Sequence, residues 1–260
     1  MKFLTFIALL FIVSLNTMAQ LKFIAHRGAS YYAPENSLSA FKLAWELGSD
    51  GAECDIQLTG DNQIVIWHDK DTERLTGQKL VISQTPYSEL EKLKIKLSPT
   101  NSSCFEGEKI PLLKDVLKIL SKDQLLVIEI KCGKEIFPEL QKAIKKNLNT
   151  VRIAFIAFDF ETICLAKSNY PDVPCYYLSS SKEDVLKRIP DIKKYKLDGV
   201  DLNSKIIDEQ LADELSKIKA EIWCWTVDTI EEATRMKDIG VMTITTNRPN
   251  WLKEQINSMK

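Results

Sequence analysis

Histidine is scarce in this chain: 260 residues hold only His26 and His68. No CxxC pair occurs and no cysteine adjoins a histidine, so a zinc site of the usual Cys/His kind is excluded. Charge of one sign is missing too. The 35 basic and 36 acidic residues leave a formal net charge of −1, and without a basic field the chain is not built to hold DNA or RNA. Low-complexity tracts, Gly/Ser linkers and internal repeats are absent, which removes solenoids and module arrays. Past residue 20 no apolar run is long enough to span a bilayer. The single long run is at the start, MKFLTFIALLFIVSLNTMAQ, where Thr17-Met18-Ala19 has the small residues of a cleavage site. It reads as a secretory signal peptide cut after Ala19, with a retained anchor as the alternative. The expectation is an exported protein, periplasmic or secreted, with no stable membrane span after cleavage.

All six cysteines (Cys54, Cys104, Cys132, Cys164, Cys175 and Cys224) lie beyond the leader. An exported protein can pair them. Four of them (Cys54, Cys132, Cys175 and Cys224) sit inside or at the end of apolar strand-like runs, where a free thiol behaves as a small hydrophobe. Mostly free, buried cysteines are expected.

What the chain does have is alternation. Strand-like runs occur at 23–28, 51–57, 125–131, 153–159, 173–178, 199–203, 222–227 and 241–246. Amphipathic stretches such as SLSAFKLAWELG, KEDVLKRIPDIKKY and DEQLADELSKIK separate most of them. Strands alternating with helices of this length argue for parallel βαβ units, and eight such strands for a closed (β/α)8 TIM barrel of α/β class. A ninth run, IVIWHD at 64–69, follows GAECDIQLT after only GDNQ, too short for a parallel crossover. It is expected to fold back as a β-hairpin above the second strand. Pairing about a turn at 61–62 sets Asp55 opposite His68 and Glu53 near Lys70. Residues from about 70 to 110 then form a small insertion in a barrel domain spanning 20–260.

Chemistry-bearing side chains fall where such a barrel puts its active site, at the C-terminal ends of the strands. Glu53 and Asp55 are two apart and share a face; in LLVIEIK, Val127, Glu129 and Lys131 share one face, opposite Leu126, Ile128 and Ile130. Three carboxylates therefore converge on the interior. Held in a partly dry site they need compensation. Lys131 offsets one charge, and a divalent cation preferring oxygen, Mg²⁺ or Ca²⁺, would offset the rest. The spacing leaves equally open that Glu53 or Glu129 pairs with Arg27 or Lys131 and binds nothing. His26 ends the first strand and His68 ends the hairpin, so both histidines fall at the mouth. Imidazole moves protons near neutral pH, and cutting a phosphodiester needs a base and an acid. Arg27 and Lys131 supply donors for phosphate oxygens. Asn36 or Ser37 caps the helix at 38–47, with Asn36 the favoured cap and Gly48 closing it. Glu35 is open to a role at the site, and Trp225 and Tyr177 read first as packing.

These residues carry a resemblance. The stretch "AHRGASYYAPENSLSAFKLAWELGSDGAECDIQLTGDNQIVIWHDKDTERLTG", then "LLVIEIK", "AFDFETICLAKSNYPDVP" and "WTVDTIEEATRMKDIGVMTITTNRP", is similar to the glycerophosphodiester phosphodiesterases over essentially the whole mature chain. The resemblance implies a barrel that hydrolyses glycerophosphodiesters to sn-glycerol 3-phosphate and an alcohol. It implies His26 and His68 as general acid and base, and Glu53, Asp55 and Glu129 as ligands of a divalent metal cation. It further implies Arg27 and Lys131 on the phosphate, with Trp225 near the glycerol or headgroup. A route through a cyclic phosphate, formed by the glycerol 2-hydroxyl and opened by water, comes with it. The chain departs from the family pattern at Asp228, where asparagine is usual, at Asn247, where aspartate is usual, at Thr72, and in the GDNQ turn. None of these removes a residue of the implied chemistry. Two other readings stand beside this one: a lysophospholipase D-like phosphodiesterase with a more apolar mouth, and a ligand-binding barrel without catalysis. The presence of both histidines speaks against the second.

Overall fold

The computed structural model describes residues 21–145 and 150–259; the leader expected at 1–19 lies outside them. In chain order the elements are β1 (Lys22–Ala25), α1 (Leu38–Glu46), β2 (Gly51–Leu58), β3 (Ile64–Ile66), α2 (Glu73–Thr76), α3 (Tyr87–Leu90), α4 (Leu113–Ile119) and β4 (Leu125–Ile130). They continue through α5 (Phe137–Ile144), β5 (Arg152–Ala157), α6 (Phe160–Asn169), β6 (Cys175–Ser179), α7 (Lys182–Lys194), β7 (Gly199–Asn203), α8 (Glu209–Lys217), β8 (Glu221–Trp225), α9 (Ile230–Ile239), β9 (Thr243–Thr246) and α10 (Pro249–Ser258). Eight strands pair in parallel in the order β1-β9-β8-β7-β6-β5-β4-β2, and β1 pairs with β2 to close the ring. The fold is the expected (β/α)8 barrel. β3 stands outside the ring, antiparallel to β2.

Period-two alternation sorts the strand side chains into two apolar bodies. Outward residues such as Cys54, Ile56, Leu126, Ile128, Phe155 and Ile244 pack beneath the helices. Inward residues Ile24, Val127, Ala154, Ile156, Tyr176, Leu178 and Trp223 fill the barrel. A third body, Val65, Trp67, Ile82, Leu90, Leu93, Ile95, Ile110 and Leu112, lies beneath the segment that follows the hairpin. Trp67 is fully buried there, and its indole N–H donates to the Asp71 carbonyl at 2.9 Å.

The hairpin corrects the expected register by one residue. Ile56 pairs with Ile66, Gln57 with Val65 and Leu58 with Ile64. Asp55 therefore lies opposite Trp67, whose N–H donates to its carbonyl at 2.9 Å, and not opposite His68. The cause is a three-residue loop, Gly60-Asp61-Asn62, closed by Thr59 N–H on the Gln63 carbonyl at 2.9 Å. Asn62 takes the left-handed conformation at φ 61°, the usual third position of such a loop.

The cap of α1 is a second correction. Ser37 is the cap, its hydroxyl accepting from Ala40 N–H. Asn36, with φ 58°, turns its amide to Asp55 instead. All six cysteines are free; Cys54, Cys175 and Cys224 are buried, Cys132 and Cys164 are half-buried, and Cys104 is exposed. Burial pushes the Cys175 thiol up to about 12. No helix among the described residues is long and apolar enough to cross a membrane.

Candidate active site

The turn after β1 is shaped by backbone conformation. Arg27 and Gly28 both adopt positive φ, 56° and 77°. A side chain at Gly28 would sit 2.6 Å from the Ala40 carbonyl carbon, so only glycine allows the turn to rest on α1. The turn aims the Arg27 N–H at Glu53 Oε2, 2.9 Å away. Its carbonyl accepts from Asn36 N–H at 2.9 Å, which ties the Pro34-Glu35-Asn36 segment to the barrel.

β2 and β4 are neighbours, with Asp55 beside Glu129 in register. One oxygen each of Glu53, Asp55 and Glu129 lies within 4.8 Å of the others, and all three residues are buried. The same-face expectation holds for the pair on β2 and for Glu129 on β4 with Lys131 just past its end. Arg27 Nε approaches Asp55 Oδ2 at 3.4 Å, Asn36 Nδ2 donates to the same oxygen at 2.8 Å, and Lys131 Nζ meets Glu129 Oε1 at 2.9 Å. Glu53 Oε1 and Asp55 Oδ1 are buried and make no hydrogen bond.

Electrostatics separates the three acids. Burial raises Glu53 well above the usual carboxylate range, and the charges of Asp55 and Glu129 add to it. Burial, reinforced by Asp55, lifts Glu129 to about 7 against the pull of Lys131. For Asp55 burial acts in the same direction but is outweighed by Arg27, Lys131 and His68, which hold it below the ordinary value. Carboxylates that cannot all ionise together, with Glu53 Oε1 unpartnered and Asp55 Oδ1 reached only by the Lys131 ammonium at 3.6 Å, make a site short of positive charge. The donor set is all oxygen, which suits a hard divalent cation.

The two histidines line one cavity of about 230 Å³, together with Arg27, Glu53 and Glu129. His26 follows directly on β1, its N–H held by the Thr246 carbonyl at 2.9 Å. It is half-buried and lines the cavity. Burial, followed by the neighbouring Arg27 charge, lowers it to about 4. His68 stands past the end of β3, with Nδ1 2.7 Å from Asp69 Oδ1. Gln57 fixes that segment by donating to the Trp67 and Asp69 carbonyls at 2.7 and 2.8 Å.

Arg74, on α2, binds Asp69 Oδ2 through Nε at 2.6 Å and grips both oxygens of Glu35 at 2.8 and 3.0 Å. Glu35 in turn accepts from Arg27 Nη1 at 2.7 Å. Burial would raise the Glu35 carboxyl; Arg74 and Arg27 hold it below its usual value. Glu35 thus joins the arginine of the first turn to the arm bearing His68.

The opposite wall is apolar: Ile156, Phe158, Leu178 and Trp225. The Trp225 and Phe158 rings meet edge to face at 5.6 Å, and the Trp225 indole N–H donates to the Asp201 carbonyl at 3.2 Å. Trp225 therefore faces the cavity, whereas Tyr177 packs in the outer layer against Phe160.

Several cavity and supporting residues escaped the sequence reading. Asp201 is one: buried, lining the cavity, with Oδ1 unpartnered. Burial, then the Glu129 charge, pushes its carboxyl well above the usual range. Its signal was an acidic residue at an inward position of GVDLN. Asp69 and Arg74 stood in the stretch that carries the resemblance but were given no role, and Phe158 carried no signal beyond its place at a strand end.

Comparison with known proteins follows this geometry. The model of the "Glycerophosphoryl diester phosphodiesterase family" matches residues 26–251. A glycerophosphodiester phosphodiesterase of Caldanaerobacter subterraneus is 32% identical over 235 residues, covering 88% of this chain and 95% of its own. A lysophospholipase D of Rattus norvegicus is 27% identical over 271 residues, covering 91% and 86%. Among solved structures, an Oleispira antarctica phosphodiesterase in complex with the product sn-glycerol-3-phosphate has a TM-score of 0.82 at 24% identity, covering 91% of this chain and 96% of that one.

Proposed function

Since the chain belongs to the glycerophosphoryl diester phosphodiesterase family, we propose that it hydrolyses glycerophosphodiesters to sn-glycerol 3-phosphate and an alcohol, with His26 as general base and His68 as general acid. One observation carries this reading: both histidines line a single cavity with Arg27, Glu53 and Glu129.

Glu53, Asp55 and Glu129 are the residues that would hold a divalent cation, Mg²⁺ or Ca²⁺; the buried oxygens without donors support the fit. When bound, the cation supplies positive charge to the oxygens of the phosphoryl group. Arg27 lines the cavity and Lys131 is paired with Glu129, which also lines it; both would offer hydrogen bonds to the phosphate. Arg27 stays charged throughout. His26 takes the proton of the glycerol 2-hydroxyl as its oxygen bonds to phosphorus. The bond from phosphorus to the headgroup oxygen breaks, and that oxygen takes a proton from His68. Water then opens the cyclic phosphate with the roles reversed: His68 accepts the water proton and His26 returns one to the 2-oxygen. Trp225 and Phe158 form the wall against which the carbon skeleton rests.

The apolar wall favours a second reading. Phe158 is 44% exposed at the rim, and a monoacyl chain leaving the cavity would cover it. The test is product analysis with glycerophosphocholine and lysophosphatidylcholine, each with Mg²⁺, Ca²⁺ or chelator. The main reading expects metal-dependent release of choline from the first substrate. Release only from the second would replace it with the lysophospholipase D reading. The apolar leader ending at Ala19 supports action outside the cytoplasm.

A further inference from the structure

Behind His26 runs a chain of hydrogen bonds whose direction can be worked out donor by donor. His26 Nδ1 lies 2.8 Å from Asn247 Oδ1, and the Ser30 hydroxyl donates to that same oxygen at 3.0 Å. On its far side Asn247 donates Nδ2–H to Asp228 Oδ2 at 2.5 Å. The other oxygen, Asp228 Oδ1, accepts from Asn247 N–H and from the Thr246 hydroxyl, both at 2.8 Å. Asp228 follows β8 and Asn247 follows β9, so neighbouring strands fix the spacing.

A carboxylate only accepts. The Asn247 amide must therefore turn its nitrogen to Asp228, which leaves its oxygen facing His26. That oxygen also only accepts, so the imidazole proton resides on Nδ1. Nε2, the other ring nitrogen, then carries the lone pair. We propose that Asp228 is a positioning residue for catalysis: acting through Asn247, it fixes His26 in the tautomer whose Nε2 can take a proton. The inference rests on the reading of His26 as the base.

The isosteric substitution Asp228→Asn makes a specific demand. Its amide oxygen keeps the Asn247 N–H and Thr246 hydroxyl, so its NH₂ faces the NH₂ of Asn247. Two donors cannot share that contact. Asn247 turns over, offers its nitrogen to His26 Nδ1, and the imidazole proton moves to Nε2, where it blocks the base. The exchange Asp228→Asn/Asn247→Asp reverses this, because an acid at 247 accepts from both His26 Nδ1–H and the new amide. Every donor and acceptor is matched again.

The test uses the intact enzyme with ¹⁵N-labelled histidine; with only two histidines, His68→Gln identifies the His26 signals. The wild type is expected to show a protonated Nδ1 and an unprotonated Nε2 at His26. Asp228→Asn is expected to invert that pattern and to lower kcat by about 10²-fold or more, since a wrong tautomer beside a catalytic histidine costs up to about 10⁴-fold. KM should stay within about two-fold, because Asp228 touches no substrate. The exchange variant is expected to restore both the pattern and most of kcat. Three results would each overturn the proposal: a proton on Nε2 in the wild type, unchanged signals and kcat in Asp228→Asn, or an exchange variant no better than the single one. A wild type that fails to hydrolyse glycerophosphodiesters would sink the functional reading instead, and the NMR signals would still report the tautomer.

Discussion

The two sides of the cavity are built from the same eight-stranded ring and have opposite characters. On the side of β1, β2 and β4 the lining is His26, Arg27, Glu53 and Glu129, with Asp55 and Lys131 paired against them; on the side of β5, β6 and β8 it is Ile156, Phe158, Leu178 and Trp225. One wall is charged and, under the proposed mechanism, carries the proton transfers; the other is apolar and gives the cavity its shape. Segregation of this kind lets the charged wall act in reduced dielectric, because its apolar counterpart displaces water from the same small space. Asp201, on β7, is the exception, a buried acid among the apolar residues.

Attacking the charged wall at its proton carriers should have the largest effect. His26→Ala and His68→Ala are each expected to lower turnover by roughly 10²–10⁴-fold with an unchanged circular dichroism spectrum. A rate near wild type in either would remove that histidine from the chemistry. Next comes Glu53→Gln, which takes a charged oxygen from the acid trio. The concentration of Mg²⁺ or Ca²⁺ giving half-maximal activity should rise by about ten-fold or more; an unmoved titration would argue against cation binding there. On the shape-giving side, Trp225→Ala should raise KM by roughly ten-fold through lost contact area while kcat changes little. A large loss of kcat instead would mean that the wall aligns the reacting atoms.

Two stability measurements sharpen the contrast further. His26 has a folded-state pKa of about 4 against an ordinary 6.5, so the unfolded chain binds the proton more readily than the native one. The stability associated with neutral His26 is therefore complete above about pH 6.5 and is lost as pH falls toward 4. His26→Gln should show a smaller drop in urea midpoint between pH 7 and 4.5 than the wild type. Asp201 has the opposite sign: its carboxyl is raised in the fold, and stability declines as pH rises past the unfolded value. Asp201→Asn is expected to gain on the order of 1 kcal/mol at pH 7 by removing a buried acid, with the gain vanishing near pH 3.

The ring of strands and its inward acids were legible because alternation is a local property of a strand. Glu53 and Asp55 had to share a face once GAECDIQ was read as extended, and the same holds for Glu129 and Lys131. The hairpin register was not legible to the residue. It turned on whether the loop held two or three residues, and the Thr59 and Asn62 interactions that decide it are small. Asn36 was misjudged for a related reason. Serine and asparagine cap helices equally well, and only the nearness of Asp55, nineteen residues on, shows which of the two is needed elsewhere. The links from Asn247 to Asp228 and from Arg74 to Glu35 are contacts between remote loops, which no spacing rule encodes.

The imidazoles also differ in what bears them. One is rooted in the ring itself, directly after β1. The other rides on an outrigger beyond β3, anchored beneath by buried Trp67 and braced at the site by Gln57 and by the Arg74 grip on Asp69 and Glu35. Slackening that brace would widen the gap between the proton carriers while every barrel strand stays in place. Under the proposed mechanism, Arg74 is accordingly a point where catalytic speed can be tuned independently of thermal endurance.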